Sequence, residues 1–176
     1  MTSPPLLFLM VGLPAAGKST VAGEIESTHR ALRLSPDEWM TPLFGESDAD
    51  GRRDLLEGLL IAVAVRTLQL GTNVVLDFGL WSRDERTALR ALGHAAGARV
   101  VVRYLDVDEA AQSRRIAERA AADPRATFPI SPADLERWRT QLEVPTHDEL
   151  AGAHLDEPPF GASWQEWART RWPSLR

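Results

Sequence analysis

The chain has 176 residues, of which 44% are hydrophobic and 26% charged, with a formal net charge of −5. This length and balance suit a single domain over residues 1–176 with a sizeable core, and the acidic balance argues against a dedicated nucleic-acid binder. The absence of cysteine excludes a disulfide framework, a thiol nucleophile and a thiolate zinc site.

Met1-Thr2-Ser3-Pro4-Pro5 has neither the charged start nor the long apolar core of a signal peptide, so a cytoplasmic protein with no membrane partner is the simplest expectation. Leu6 to Val11 form an apolar run that reads as a buried parallel strand and is too short to span a membrane. It leads into Gly12-Leu13-Pro14-Ala15-Ala16-Gly17-Lys18-Ser19, which satisfies G-x-x-x-x-G-K-[ST] at every fixed position. The glycines of such a loop let successive N–H groups face phosphate oxygens, and the helix that follows presents its positive end. Gly12 to Thr20 are therefore the expected nucleotide-binding stretch, with Lys18 on the β- and γ-phosphates and the Ser19 hydroxyl on Mg²⁺. Val21, Ala22 and Ile25 continue at helical spacing. Lys18 is the only lysine in the chain. A general preference for arginine accounts for the other basic residues but not for this one, where a compact ammonium suits the space between phosphates.

Ala31 to Leu34 read as a second strand, stopped by Ser35-Pro36-Asp37-Glu38. The pattern is a capping box, with Ser35 as N-cap and Glu38 as its partner. A short helix through Trp39, Met40 and Leu43 should follow. A long helix is expected from about Arg53 to Leu70, with Leu55, Leu56, Leu59, Leu60, Val63 and Leu70 on its apolar stripe. Asn73 to Phe78 predict a third strand, Ser82-Arg83-Asp84-Glu85 a second capping box, and Arg99 to Leu105 a fourth strand. Asp108 caps a helix to about Ala122, Ser131-Pro132 starts another, and Ser163 starts the last, with Trp164, Trp167 and Ala168 on one side. Ala153 to Asp156 suggest a short fifth strand. Strands alternating with helices predict an α/β fold, a parallel sheet of about five strands with helices on both faces. The arginine-bearing stretch 119–132 is the candidate mobile lid.

Two classes of phosphate-loop protein drop out. A guanine-specific switch needs Asn-Lys-x-Asp, which a chain with one lysine cannot supply. A hydrolytic motor usually carries Asp-Glu after its third strand, and here Phe78 follows Asp77. A small kinase remains.

The chain resembles the small phosphate-loop kinases grouped with chloramphenicol phosphotransferase, zeta toxins and polynucleotide kinase, and more broadly the adenylate-kinase-like fold. The resemblance rests on the Gly12–Thr20 loop, Leu34 to Glu38, Val74 to Asp77, Arg83, Leu105-Asp106 and Arg115 to Arg119, in the family's order. It implies ATP and Mg²⁺ as cofactors and a small-molecule hydroxyl as acceptor, with an antibiotic or other secondary metabolite among the acceptors. It also implies that Asp37 is the general base; a first-turn acid favoured by the helix dipole is the alternative. Arg115 and Arg119, one helical turn apart, would be lid arginines, with Arg125 in reserve; a solvated face pairing with Glu118 or Asp123 is the competing reading. Asp77 ends a strand expected beside the loop strand. It could hold Mg²⁺ through water, contact the acceptor, or make local hydrogen bonds. Trp39, Phe78 and Trp81 would line the acceptor pocket if they do not simply join the core, and Arg83 would contact the acceptor if it is not a surface residue. Arg52-Arg53 read as the opening of the long helix or as a reader of an anionic acceptor. The four histidines form no metal-spaced cluster. A nucleoside or polynucleotide-end kinase and a nucleotide-binding regulator are the alternative functions. The sequence gives no oligomeric state.

Overall fold

Leu6 to Val11 form the strand on which the sheet is built, because every residue from Leu7 to Val11 is buried. The structure, a computed structural model, describes residues 3–45, 50–122, 130–153, 155–161 and 163–176, apart from the side chains of residues 119, 120, 132 and 160. The elements run β1 (Leu6–Val11), α1 (Lys18–His29), β2 (Leu32–Leu34), α2 (Pro36–Phe44), α3 (Arg52–Gln69), β3 (Val74–Leu76), α4 (Arg83–Ala95), β4 (Arg99–Tyr104), α5 (Glu109–Ala122), α6 (Pro132–Gln141), α7 (His147–Leu150) and α8 (Trp164–Arg171).

The sheet is parallel throughout, in the order β2-β3-β1-β4. β1 pairs with β4 from Leu6↔Arg99 to Val11↔Tyr104, and with β3 from Leu7↔Val74 to Leu9↔Leu76. Strand side chains alternate between faces, and the two faces fill two cores. Leu7, Leu9, Val11, Val74 and Leu76 pack with α3, α4 and α8, whereas Phe8, Met10 and Val75 pack with Ala22 and Ile25 of α1. The expected helical cover on both faces is therefore present.

Three expectations need correction. The described residues contain four strands rather than five. The stretch from Ala153 to Asp156 gives no strand; its carbonyls are taken by side chains instead, Ala153 by Arg90 and Asp156 by the Trp164 indole at 2.8 Å, while His154 lies outside the described residues. Ser35 is the N-cap of α2, but its side chain makes no capping bond; Glu38 turns instead to Arg33 of β2. On α3 the buried face is Leu56, Glu57, Leu60, Ile61, Ala64 and Leu68, leaving Leu55, Leu59, Val63 and Leu70 exposed. The face is rotated because the chain's end seats on it. A Cβ at Gly58 would lie 2.2 Å from Ser174 Oγ and 3.0 Å from Leu175 N.

The C-terminal third is strapped to α4. Arg86 is buried and bonds Glu149 of α7 through both Nε and Nη2, the latter at 3.2 Å. Its Nη1 donates to the Leu80 carbonyl at 3.2 Å. Among the described residues no helix is long and apolar enough to cross a membrane.

Removing one partner of a buried ion pair strands the other charge, at a cost of about 3–5 kcal/mol, whereas an apolar replacement of both is far milder. Arg86→Met should therefore lower the unfolding free energy in urea by about 3–5 kcal/mol. The double variant Arg86→Met/Glu149→Leu should recover most of that loss.

Candidate active site

The carboxyl end of β1 delivers Gly12 against the end of β4. The Leu105 amide donates to the Val11 carbonyl at 2.9 Å, extending the pairing one residue past the strand. Gly12 has φ +149°, and a Cβ on it would lie 2.5 Å from the Leu105 carbonyl oxygen. Only glycine meets both demands. The loop then tightens, with the Ala16 amide donating to the Leu13 carbonyl at 3.1 Å. Ala15 at φ 62° and Gly17 at φ 101° turn it into the first residues of α1. Lys18 Nζ lies across the loop, donating to the carbonyls of Gly12 at 2.9 Å and Leu13 at 3.0 Å. Ser19 and Thr20 are exposed in the first turn of α1.

Helix α5 holds the loop from outside. Arg115 Nη1 donates to the carbonyls of Ala15 at 3.1 Å and Ala16 at 3.2 Å, and Gln112 Nε2 donates to that of Pro14 at 2.9 Å. Arg115 thus reaches the loop. Arg119 belongs to α5, but its side chain lies outside the described residues, as do Arg125 and most of the 119–132 stretch. Beside the loop opens a cleft of about 680 Å³, walled by Thr20, Val21, Leu105, Arg115, Glu118 and Ala122. The loop residues Ala15, Ala16 and Gly17 line it as well, but sequence reasoning missed the cleft, since its other walls come from separate elements.

Asp37 and Asp77 lie past the carboxyl ends of adjacent strands, β2 and β3, on the same edge of the sheet as the loop. Each has an arginine partner from another element. The Asp37 carboxylate is 72% exposed and receives Arg53 Nη1 at 2.8 Å; Arg53 Nε holds Glu57 at 3.1 Å. Burial alone would lower the proton affinity of the Arg53 guanidinium. The Asp37 carboxylate and then Glu57 outweigh it and hold the group above the usual arginine range. Burial pushes the Glu57 carboxyl up, against the pull of Arg53 and of the Trp172 indole N–H at 3.0 Å. Asp77 is buried and lies 3.3 Å from Arg33 Nη1. Arg33 also binds Glu38, and Glu26 at 3.4 Å.

The aromatic candidates separate. Phe78 is in the core, Trp39 is exposed on α2, and Trp81 is partly buried against the core. The Trp81 ring lies over Gly79, where a Cβ would meet Nε1 at 2.5 Å. Arg83 turns away to Asp156, with Nη2 at 2.7 Å from its carboxylate. The capping box at Ser82 and Glu85 is formed as expected.

A protein-family model described as an AAA domain matches residues 7–145. No curated protein matches the chain. Among solved structures, a chain of the Pnkp1/Rnl/Hen1 RNA repair complex superposes with a TM-score of 0.67 at 20% identity, over 89% of this chain and 48% of that one, so the present chain spans about half of that neighbour. A candidate kinase from Chloroflexus aurantiacus aligns at TM-score 0.64 and 21% identity, over 99% of this chain and 100% of its own. A gluconokinase from Sinorhizobium meliloti aligns at 0.57 and 17%, over 98% and 91%. At these identities the likeness is one of fold, that of a small P-loop kinase.

Gly12→Ala should cost about 1–3 kcal/mol of stability from the strained backbone, before any clash is counted. Gly23 of α1 has an ordinary helical backbone, and a Cβ added there would meet nothing within 4 Å. Gly23→Ala should therefore stabilise by about 0.5–1 kcal/mol. Opposite shifts of the thermal midpoint in the two variants check the reading.

Proposed function

The chain belongs to this AAA-domain family, and from that premise we propose that it transfers the γ-phosphoryl group of ATP to a hydroxyl of a small molecule. The observation that carries the reading is the sheet edge. The Gly12–Thr20 loop and two carboxylates, Asp37 and Asp77, share the carboxyl ends of neighbouring parallel strands, the edge where open α/β sheets bind ligands.

In this reading the loop amides and Lys18 hold the β- and γ-phosphates. Lys18 already lies over the loop through two carbonyl bonds, so it needs only to exchange those acceptors for phosphate oxygens. Arg115, which donates to the carbonyls of Ala15 and Ala16, would neutralise charge that develops on the transferring group, with Arg119 of the same helix as the second candidate. The cleft walled by Val21, Leu105 and Ala122 takes the base. Its mixed apolar wall suits a flat ring.

Ser19, exposed in the first turn of α1, would hold Mg²⁺ through its hydroxyl, and the ion would supply positive charge against the terminal phosphates. Asp77 is already engaged by Arg33. That pairing suits a contact through water better than direct ligation.

Asp37 is the base. It is exposed to an incoming hydroxyl, and Arg53 orients its carboxylate without burying it. Trp39 stands exposed two residues further along α2 and would offer the acceptor an apolar ring face. Trp81 and Arg83 follow β3, the strand next to β2, and would reach the acceptor from there, Arg83 only by leaving Asp156. Hydroxylated antibiotics and other secondary metabolites, sugars and nucleosides are the acceptor classes this site suits. The net charge of −5 weighs against a polynucleotide, and the reaction needs no membrane.

The test is a phosphoryl-transfer screen. Protein, ATP and Mg²⁺ are incubated with pooled nucleosides, sugars, hydroxylated antibiotics and 5′-hydroxyl oligonucleotides, and mass spectrometry looks for products gaining one phosphoryl group. Asp37→Asn should reduce the product rate by about 10²–10⁴-fold, and Lys18→Ala should abolish it. A product formed equally by Asp37→Asn would return that residue to a helix-dipole role. Tight ATP binding with no product from any pool would favour a nucleotide-gated regulator.

A further inference from the structure

Gln112 of α5 is fully buried, with 0% exposure. Burying an amide costs stability unless both its ends are bonded, and packing alone would be served better by leucine or methionine. Both ends of this amide are bonded, and to different elements. Nε2 donates to the Pro14 carbonyl in the phosphate loop at 2.9 Å, and Oε1 accepts from Arg139 of α6. Arg139 is further held by Glu109, one turn earlier on α5, at 3.4 Å.

The far end of α6 is bonded as well. Glu143, four residues beyond Arg139, donates its amide to the Trp81 carbonyl at 3.0 Å. Its carboxylate accepts from the Arg83 amide at 2.6 Å. The α6 segment is also fastened to the core by buried Leu135 and Leu142. A path of hydrogen bonds, helix α6 and its buried C-cap Leu142 therefore joins Pro14, in the phosphate loop, to Trp81 and Arg83, in the segment after β3 that the proposed function gives to the acceptor.

We infer that α6 is a strut between the two half-sites, and that Gln112 and Arg139 are positioning residues through which occupancy of the phosphate loop orders the Trp81–Arg83 segment. The Pro14 carbonyl is where the strut meets the loop. A phosphate-filled loop holds that carbonyl in one place. The Gln112 amide, Arg139 and Glu143 then transmit the restraint, because none of the three can shift without breaking a bond at its other end. By linkage the coupling is reciprocal, so an acceptor that orders Trp81 and Arg83 tightens nucleotide binding by the same factor. The inference rests on the nucleotide reading of the loop.

Hydrogen exchange tests it on the full chain. Titration calorimetry first measures binding of Mg·ATP to the parent and to Gln112→Met, Arg139→Met and Glu143→Leu. Saturating Mg·ATP should slow amide exchange in the parent both at residues 12–20 and at residues 79–86, the latter by about fivefold or more. In each variant that binds Mg·ATP, protection of 12–20 should persist while that of 79–86 is lost. Gln112→Met removes a buried polar group and is the riskier variant for folding; Arg139→Met and Glu143→Leu alter residues that are not buried and test the same path. Protection confined to 12–20 in the parent would overturn the strut and leave the nucleotide reading intact. Retention of the remote protection in the variants would also overturn it. No binding of Mg·ATP by the parent would overturn both.

Discussion

The contact between Gly12 and the Leu105 carbonyl is the constraint on which the rest of the molecule depends. β1 and β4 pair in register over their whole length, and the pairing continues through the Leu105 amide. The two strands are therefore still side by side where the phosphate loop begins. A side chain at residue 12 would push them apart, and the loop would no longer start at the sheet edge. Because β4 leads directly into α5, the same contact sets where that helix begins. That start brings Gln112 and Arg115 over the loop carbonyls. The loop is thus anchored on one side by its strand and on the other by a helix that its own neighbour strand positions.

Charge at the opposite half of the sheet edge follows a second rule. Each of the two acids placed at the crevice has an arginine from a different element: Arg33 of β2 for Asp77, Arg53 of α3 for Asp37. The two pairs are not equivalent. Asp77 is buried, so its partner offsets a desolvation cost that the carboxylate could not bear alone. Asp37 is mostly exposed and its ion pair contributes little to stability. Arg53 has a second hold on Glu57, which is itself fixed by the Trp172 indole. The guanidinium therefore keeps a partner inside the fold whether or not Asp37 holds it.

Local signals in the sequence were legible wherever one stretch of chain carried the whole reason for its shape. The apolar run of β1, the glycine loop and the Ser82/Glu85 box all appear as read, since each closes on itself within a few residues. Ser35 shows where that logic stops. Its pattern matches the box, yet Glu38 is drawn away by Arg33 on the preceding strand. The stripe on α3 was misplaced for a related reason. Leu55, Leu59 and Val63 have helical spacing, but Gly58 marks the face on which the chain's end seats. Nothing near residue 58 says that residues 172–175 will pack there. Gln112 and the cleft beside the loop were invisible for the same cause, because their meaning lies in partners from separate elements.

The C-terminal third, which carries the weakest family pattern, is where such long-range bonds concentrate. Arg83, Arg86 and Arg90 lie along one side of α4 and reach Asp156, Glu149 and the Ala153 carbonyl. Arg171 of α8 ties back to Glu85 at 2.8 Å and Asp54 at 2.7 Å. These side chains do not form a motif, because any acid or carbonyl at the right place serves an arginine fork equally well. Their effect is nonetheless felt at the sheet edge. Arg86 holds the Leu80 carbonyl, at a residue whose φ is 39°, and so sets the backbone from which Trp81 projects. A segment with little sequence signature of its own thus sets the backbone that follows β3 at the carboxyl end of the sheet.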